Sequence, residues 1–424
     1  MINLQLPTWP PQPERIAQSV QAAMNGGQWH RYPHRVDATM TKDQRDQLPR
    51  CQAINPCGYL AERIHKELRC QTDASGSEGS DVSVRLTCSG TAALELTLRG
   101  ARVAKGDEVV IAAADYEGIL RTVELLGATP VLVDFAPNSW RINPECLADA
   151  LNDKTRAIVT SHLYGHRLDM KGLADVIRTH SNDCMWIEDA CQWTRFSHGT
   201  RFSHGTRFSQ ETGFSQASVQ NSEPADATIY SFGGGKPISA GGGGAILIGN
   251  ARLAARIDQI AVRPGHPFAM HALNAAAIWP QLQHLESRNQ LRWDTFQWLR
   301  SHISHTDRWS WFSLKESNQD RTDVDSQALA AAVPVIYKLP VLARDSETRD
   351  EMLRRGQQLL PDTTLVGLPF RSVSHLSRRR VRVPHPTPVA DDMAARTLLL
   401  DQRLLLIEDE EQRLLLAKLL QSLV

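Results

Sequence analysis

No apolar run in this 424-residue chain approaches the roughly 20 residues needed to cross a bilayer. A surplus of charge is missing too: 47 Lys plus Arg stand against 47 Asp plus Glu. That balance argues against nucleic acid or a membrane surface as the main partner. Cysteine is sparse, with seven scattered residues, an odd number, no C-x-x-C pair and no His spacing suited to zinc. Neither a disulfide framework nor a metal site is therefore expected. Cys88, Cys184 and Cys191 sit among apolar neighbours and read as small core residues in a reducing compartment. The opening MINLQLPTWPPQPERI has no charged segment leading into an apolar stretch, so a cytoplasmic protein is the expectation. One local departure from charge balance, SRRRVRVPHP (377–386), reads as a strand with a solvated basic face or as a surface that meets an anionic substrate.

The length exceeds one ordinary core, so two packed units are expected. Between residues 84 and 250, apolar strands alternate with helical patterns. Strands are read at 107–116, 129–135, 156–165, 184–190, 227–232 and 244–250, and helices at 90–104, 118–128, 144–152 and 170–180. Near-continuous apolar strands separated by helices predict a mostly parallel sheet covered on both faces, with ligands at the carboxyl ends of the strands. After residue 251 the pattern changes to long amphipathic helices over 272–303, a short strand region at 332–341 and a Leu-rich helix over 395–424. The expected division is an N-terminal segment 1–45, a large domain 46–280 and a small α+β domain 281–424.

Two polar stretches interrupt this scheme. TRFSHGTRFSHGTRFSQETGFSQ (194–216) contains tandem copies of TRFSHG. Its period and copy number are too small for a solenoid, and it reads as a duplicated surface loop spanning 194–222. QTDASGSEGSDVS (71–83) reads as a second loop.

The chemistry-bearing stretch is TIYSFGGGKPISAGGGGA (228–245), with seven glycines in eighteen residues around a single lysine, Lys236. A phosphate loop of the nucleotide-hydrolase kind needs a hydroxyl directly after the lysine, and Pro237 stands there. The remaining readings are a tight turn with a solvated lysine, or a lysine that carries an aldehyde cofactor. Three further pieces fall at strand ends or helix starts. CSGTAAL (88–94) offers exposed backbone N–H groups and the Thr91 hydroxyl to a phosphate. ADYEG (114–118) presents the ring of Tyr116 as a flat surface. WIEDACQ (186–192) ends an apolar strand on Asp189, a carboxylate that is costly there without a cation or donors.

Together these pieces resemble the fold type I, pyridoxal-phosphate-dependent aminotransferases of the DegT/DnrJ/EryC1/StrS group. The resemblance rests on SGTAAL, KGDEVV, GATPVLVD, DKTRAIVTSHLYGHRLDM, IEDACQ, YSF and GGGGAILI, all in the family's order between residues 85 and 250. TWPPQPERIAQSVQAAMNGGQW (8–29) looks like the opening segment of the branch that includes aminohydroxybenzoate synthases. The resemblance implies that Lys236 holds pyridoxal 5'-phosphate and shuttles the proton. It further implies that Asp189 pairs with the pyridine nitrogen, Gln192 lies near the phenolic oxygen and Tyr116 stacks on the ring. Gly90, Thr91 and Ser231 match phosphate contacts, and His162 matches a residue close to the cofactor face.

Two departures from the family stand out. The run after the lysine reads Ala240, Gly241, Gly242, Gly243, Gly244 where the family has Thr-Gly-Glu-Gly-Gly. HPFAMHALNAA (266–276) has His266 and Ala269 where the family has an Asn-x-Arg-Met element. The implied function is a transaminase that takes an amino group from glutamate or glutamine and gives it to a keto-sugar nucleotide or a cyclic ketone, working as a homodimer. The alternative reading is a cofactor-binding sensor or interaction protein that has lost catalysis.

Overall fold

The computed structural model describes residues 4–26, 56–69, 82–180, 184–195, 225–261, 266–303, 306–312, 333–377 and 380–423. The tandem TRFSHG copies beyond Arg195 and most of the 71–83 loop lie outside the described residues.

Among the described residues, seven strands form the larger sheet: β1 (Ser83–Thr87), β2 (Glu108–Ala112), β3 (Thr129–Val133), β4 (Thr155–Ser161), β5 (Met185–Asp189), β6 (Ala227–Ser231) and β7 (Gly244–Ile248). Their order is β1-β7-β6-β5-β4-β2-β3. Five strands, from β3 through β2, β4 and β5 to β6, run parallel, and β7 is antiparallel to both of its neighbours. This is the mostly parallel α/β sheet expected. Val109, Val110 and Ile111 are each at most 1% exposed, because helices cover both faces of their strand. Burial of each such side chain contributes about 1.5–3 kcal/mol.

Chain order reverses direction across the sheet at β2, which has β3 on one side and β4 on the other. At such a reversal the crossover helices leave on opposite faces and open a crevice beyond the strand carboxyl ends. Asp115 and Tyr116 follow β2 directly, so both stand at that crevice.

The second sheet has four antiparallel strands in the order β10-β11-β9-β8: β8 (Trp309–Trp311), β9 (Lys338–Ala343), β10 (Val366–Gly367) and β11 (Thr397–Asp401). Its core is aliphatic and includes Leu339, Val341, Leu398, Leu400, Leu405 and Leu416. Leu4 near the N-terminus joins that core. Helix Pro13–Asn25 lies along helix Ala272–Leu282, and the Ser19 hydroxyl donates to the Ala276 carbonyl at 2.7 Å.

Two sequence expectations change here, at the Leu-rich segment and at the basic stretch. The Leu-rich segment 395–424 is not one helix: it divides into β11, a 3-10 turn (Gln402–Leu406) and helix Glu410–Gln421. A short apolar run such as TLLLD has no periodicity that separates a buried strand from a buried helix, and pairing with β9 and β10 decides it. Asp409 then caps the new helix by accepting from the Gln412 N–H. The 272–303 stretch breaks between Leu282 and Leu285. The basic stretch forms no strand among its described residues. Arg382 bridges to Val131 instead, and its guanidinium is paired with Glu108 rather than offered to a substrate.

Candidate active site

The site starts at the end of β1. The Cys88 N–H donates to the Phe268 carbonyl, and Ser89 turns the chain into helix Gly90–Gly100. Ser89 is extended, and its hydroxyl accepts from the Ala92 N–H at 3.0 Å, an N-cap that leaves Gly90 and half-buried Thr91 on the first turn. A Cβ placed on Gly90 would lie 2.7 Å from Ser231 Cβ and 3.1 Å from Cys191 Sγ. Three of the pieces singled out in the sequence therefore meet at this glycine: the Ser-Gly-Thr turn, the end of β5 and the end of β6.

Beside them the ends of β2, β4 and β5 form a row. Ser161 and Asp189 are register partners on β4 and β5, so their side chains share a face. Asp189 is buried, and its Oδ1 accepts from the Cys191 N–H at 2.8 Å. Burial pushes the Cys191 thiol well up, and Asp189 adds to the shift, so Cys191 is an uncharged wall of the site. Asp115, a residue the sequence reading passed over, is tied into the same row. Its Oδ2 takes a hydrogen bond from the Ser161 hydroxyl at 2.5 Å, and its Oδ1 accepts from the Tyr116 N–H at 2.6 Å.

Tyr116 is 46% exposed, high for an aromatic side chain at a strand end. Its ring lies over Gly118, where a Cβ would come within 2.2 Å of it, so that helix position must stay bare. Phe370 approaches it with ring centroids 6.0 Å apart, and Phe370 also lies 5.8 Å from Tyr164. Gln192 is buried, and its Oε1 accepts from the Tyr164 N–H at 3.1 Å. Tyr164 itself sits at φ 50, and the turn it makes carries Gln192 and Phe370 to the site.

His162 lies one layer down. Its Nδ1 accepts from the Leu168 N–H at 3.0 Å, which places the ring proton on Nε2, facing Glu188 Oε1 at 2.5 Å. Glu188 Oε2 accepts from the Thr228 hydroxyl at 2.6 Å. Burial pushes the Glu188 carboxyl up, but the contacts of His162 and Thr228 outweigh it and the net shift is downward. Both ring nitrogens of His162 are engaged, so it orients the ends of β4 and β5 and has no nitrogen left to exchange a proton with a ligand.

The Lys236 loop closes the site. The Lys236 N–H donates to Gly233, and Nζ lies 4.6 Å from the centroid of the Tyr337 ring, a cation–π contact. The Lys236 charge favours the ionised forms of both Asp115 and Cys191, pulling against burial, so it acts inside the row of strand ends. Distant segments clamp the loop: the Trp9 indole N–H and the Ser239 hydroxyl donate to the Gly234 carbonyl, and the Gln402 amide donates to Gly235. The glycines have separate tasks. Gly241 and Gly243 adopt φ +72 and +111, and a Cβ on Gly244 would stand 2.5 Å from the Ser89 carbonyl oxygen. Gly244 thus lets β7 pass against the Ser89 turn, while Gly234 faces open space. Ala269 bridges to Thr87 and Asn274 donates to the Ala240 carbonyl, so the segment bearing His266 lines the outer side of the same turn.

The DegT/DnrJ/EryC1/StrS aminotransferase family matches residues 81–418, which includes every strand end just described. The chain belongs to that family. Similar curated proteins are the GDP-perosamine synthase of Caulobacter vibrioides, 31% identical over 40% of this chain and 40% of its own length, and the GDP-perosamine synthase of Escherichia coli O157:H7, 24% identical over 72% of this chain and 77% of its own length. The chain thus spans less than two thirds of the first of them. Among solved structures, 3-amino-5-hydroxybenzoic acid synthase has the same fold, with a TM-score of 0.70 at 18% identity over 99% of this chain and 98% of that one. A Streptococcus pneumoniae chain in a PLP form also matches, with a TM-score of 0.69 at 16% identity over 100% of this chain and 98% of that one. The cofactor of this aminotransferase family is pyridoxal 5'-phosphate. The residues present fit such a group: a lysine, a buried carboxylate, an exposed ring and a glycine-edged helix start surround one crevice.

Proposed function

We propose that this family member transfers an amino group from glutamate or glutamine to a ketone, a keto-sugar nucleotide or a cyclic ketone, with pyridoxal 5'-phosphate held on Lys236. The observation that carries the reading is the meeting of Gly90, Ser231 and Cys191 at one point, which draws the helix start, the Asp189 strand end and the Lys236 loop around a single crevice. When bound, the cofactor supplies the electron sink for the carbanion formed at the substrate α-carbon.

The chain's own residues supply the rest. Lys236 Nζ would hold the cofactor through its aldehyde and would be the amine placed to move a proton at the substrate α-carbon. Asp189, whose Oδ1 is held by the Cys191 amide, would be the carboxylate that pairs with the pyridine nitrogen and keeps it protonated. Gly90, Thr91 and Ser231 take the phosphate at the helix N-terminus, where backbone N–H groups and the helix dipole favour an anion. Gln192 turns its amide nitrogen toward the phenolic oxygen, since its Oε1 is engaged by Tyr164. Tyr116 covers the ring, and His162 positions the strand ends.

The same reading makes 46–280 the cofactor domain, 281–424 a smaller domain, and 1–45 an N-terminal segment that packs on the small domain or on a partner subunit. It also makes the working unit a cytoplasmic homodimer. In keeping with an acceptor that is a small molecule, no helix among the described residues is long and apolar enough to cross a membrane. Borohydride reduction of the purified protein tests the reading: a phosphopyridoxyl group fixed on Lys236, absent in Lys236→Ala, is the expected result. A colourless protein that takes up no added cofactor would overturn it. Cofactor uptake without keto-acid release from any amino donor would favour the sensor reading instead.

A further inference from the structure

Asp115 is the buried acid for which the roles above leave no task. It is 3% exposed, at the carboxyl end of β2, and is joined through Ser161 to the strand that pairs with Asp189. Two carboxyl groups therefore share one dry row at the strand ends, and Asp189 acts on Asp115 as a like charge. The ionisable groups that act on Asp115, or on which it acts, are Asp189 and Cys191 from the β5 end, Tyr164 after β4, and Lys236 from the loop after β6. Burial pushes the Cys191 thiol and the Tyr164 phenol upward, so neither adds charge near neutrality. Lys236 is the one cation among these groups, and a transaminase must discharge that amine before it can take up an aldehyde. Two ionised carboxylates and one lysine that must become neutral would leave the row doubly negative.

We propose that Asp115 is a positioning residue that keeps a proton, so that Asp189 is the single ionised carboxylate at the strand ends and Lys236 can lose its charge. The proton sits on Oδ2 and points at Ser161 Oγ. The 2.5 Å separation serves that arrangement as well as the reverse one, because the serine hydroxyl can turn. Oδ1 stays an acceptor for the Tyr116 N–H, and through that bond Asp115 fixes the backbone that carries the Tyr116 ring. In accord with the geometry, burial first and Asp189 second push the Asp115 carboxyl up to about 7, against the opposing pull of Ser161, the Tyr116 N–H and Lys236. The inference rests on the functional reading above for its link to Lys236, but not for the proton itself.

The test compares the full-length wild type with Asp115→Asn, which mimics the protonated acid, in two measurements. The first is thermal unfolding of the cofactor-free protein against pH. The folded carboxyl titrates at about 7 and an unfolded Asp near 3.9, so between those values the folded state binds more protons. The stability contributed by the protonated acid is therefore full below about 4, falls as pH rises, and is gone above about 7. The Asn variant lacks that fall. The second measurement is the dissociation constant of pyridoxal 5'-phosphate at pH 6 and pH 8.5. Ionised Asp115 favours the Lys236 ammonium, so the ratio of wild-type to Asn constants is expected to rise about tenfold across that span.

Coincident unfolding profiles, or a flat ratio, would overturn the proposal. If the Asn variant does not fold, infrared difference spectra of the wild type decide it: a protonated-carboxyl band that disappears between pH 5 and 8.5 supports the assignment, and its absence at pH 5 overturns it. Failure of every variant to take up cofactor would sink the functional reading, while the unfolding profiles would still decide where the proton sits.

Discussion

The two sheets use similar apolar strands but put charge in opposite places. In the parallel sheet, Asp115, Glu188 and Asp189 are buried at the strand ends, and each is met by a hydroxyl, a ring nitrogen or a backbone N–H. In the antiparallel sheet the core is apolar, mostly Leu, Val and Ile with Trp309, Trp311 and Phe296. The ions around it stand at the rim, as with Arg396–Asp392, Arg308–Glu351 and Arg403–Asp362. Burying a carboxylate costs free energy that only specific partners offset, so a row of them marks where stability has been traded for chemistry. Around the second sheet no buried carboxylate row forms among the described residues; the buried charges there are arginines, such as Arg292 and Arg349. That sheet contributes position: Gln402, directly after β11, holds the Gly235 carbonyl, and Tyr337, directly before β9, meets Lys236.

Perturbing each side should sharpen that contrast. The largest effect is expected from Lys236→Ala, with transaminase turnover falling on the order of 10³-fold or more while urea unfolding stays near wild type. On the other sheet, Leu398→Ala should cost about 2–5 kcal/mol in urea unfolding, and activity per folded molecule should persist. Equal losses of activity and stability in both variants would break the comparison. Gly244→Ala lies between them: a methyl group 2.5 Å from the Ser89 carbonyl should cost about 1–3 kcal/mol and also weaken cofactor uptake, because the Ser89 turn must shift. Trp9→Phe removes only the donor to Gly234, so a loss of about 0.5–1.5 kcal/mol is expected, read by urea unfolding. Arg396→Gln, at a rim pair, should change stability by less than about 1 kcal/mol and leave cofactor affinity untouched.

Much of the parallel sheet was legible in the chain. Its strands are short apolar blocks bounded by turns, and GATPVLVD or CMWIEDA can be little else. Asp189 was legible because an acid closing an apolar strand calls for a partner, and Lys236 because its glycines set it apart. Asp115 was not, since ADY after a strand is ordinary, and only the Ser161 contact from another strand reveals the carboxyl pair. The hydrogen bonds of His162 could not be read along the chain, because the Leu168 N–H and Glu188 that occupy its nitrogens come from separate elements. TLLLD looked helical because three more leucines, Leu404 to Leu406, follow it closely, and pairing with β9 overrode that pattern.

The sequence by itself determined the order of elements, the parallel core and the family resemblance, because those depend on local pattern and on spacing along the chain. The tertiary structure alone decided which strand ends adjoin, that Gly244 must pass the Ser89 carbonyl, that Trp9 and Gln402 clamp the lysine loop, and that Asp115 shares a dry row with Asp189. Those contacts join residues dozens to hundreds of positions apart, and the free energy of a buried charge depends on what surrounds it in space rather than on its neighbours in the chain.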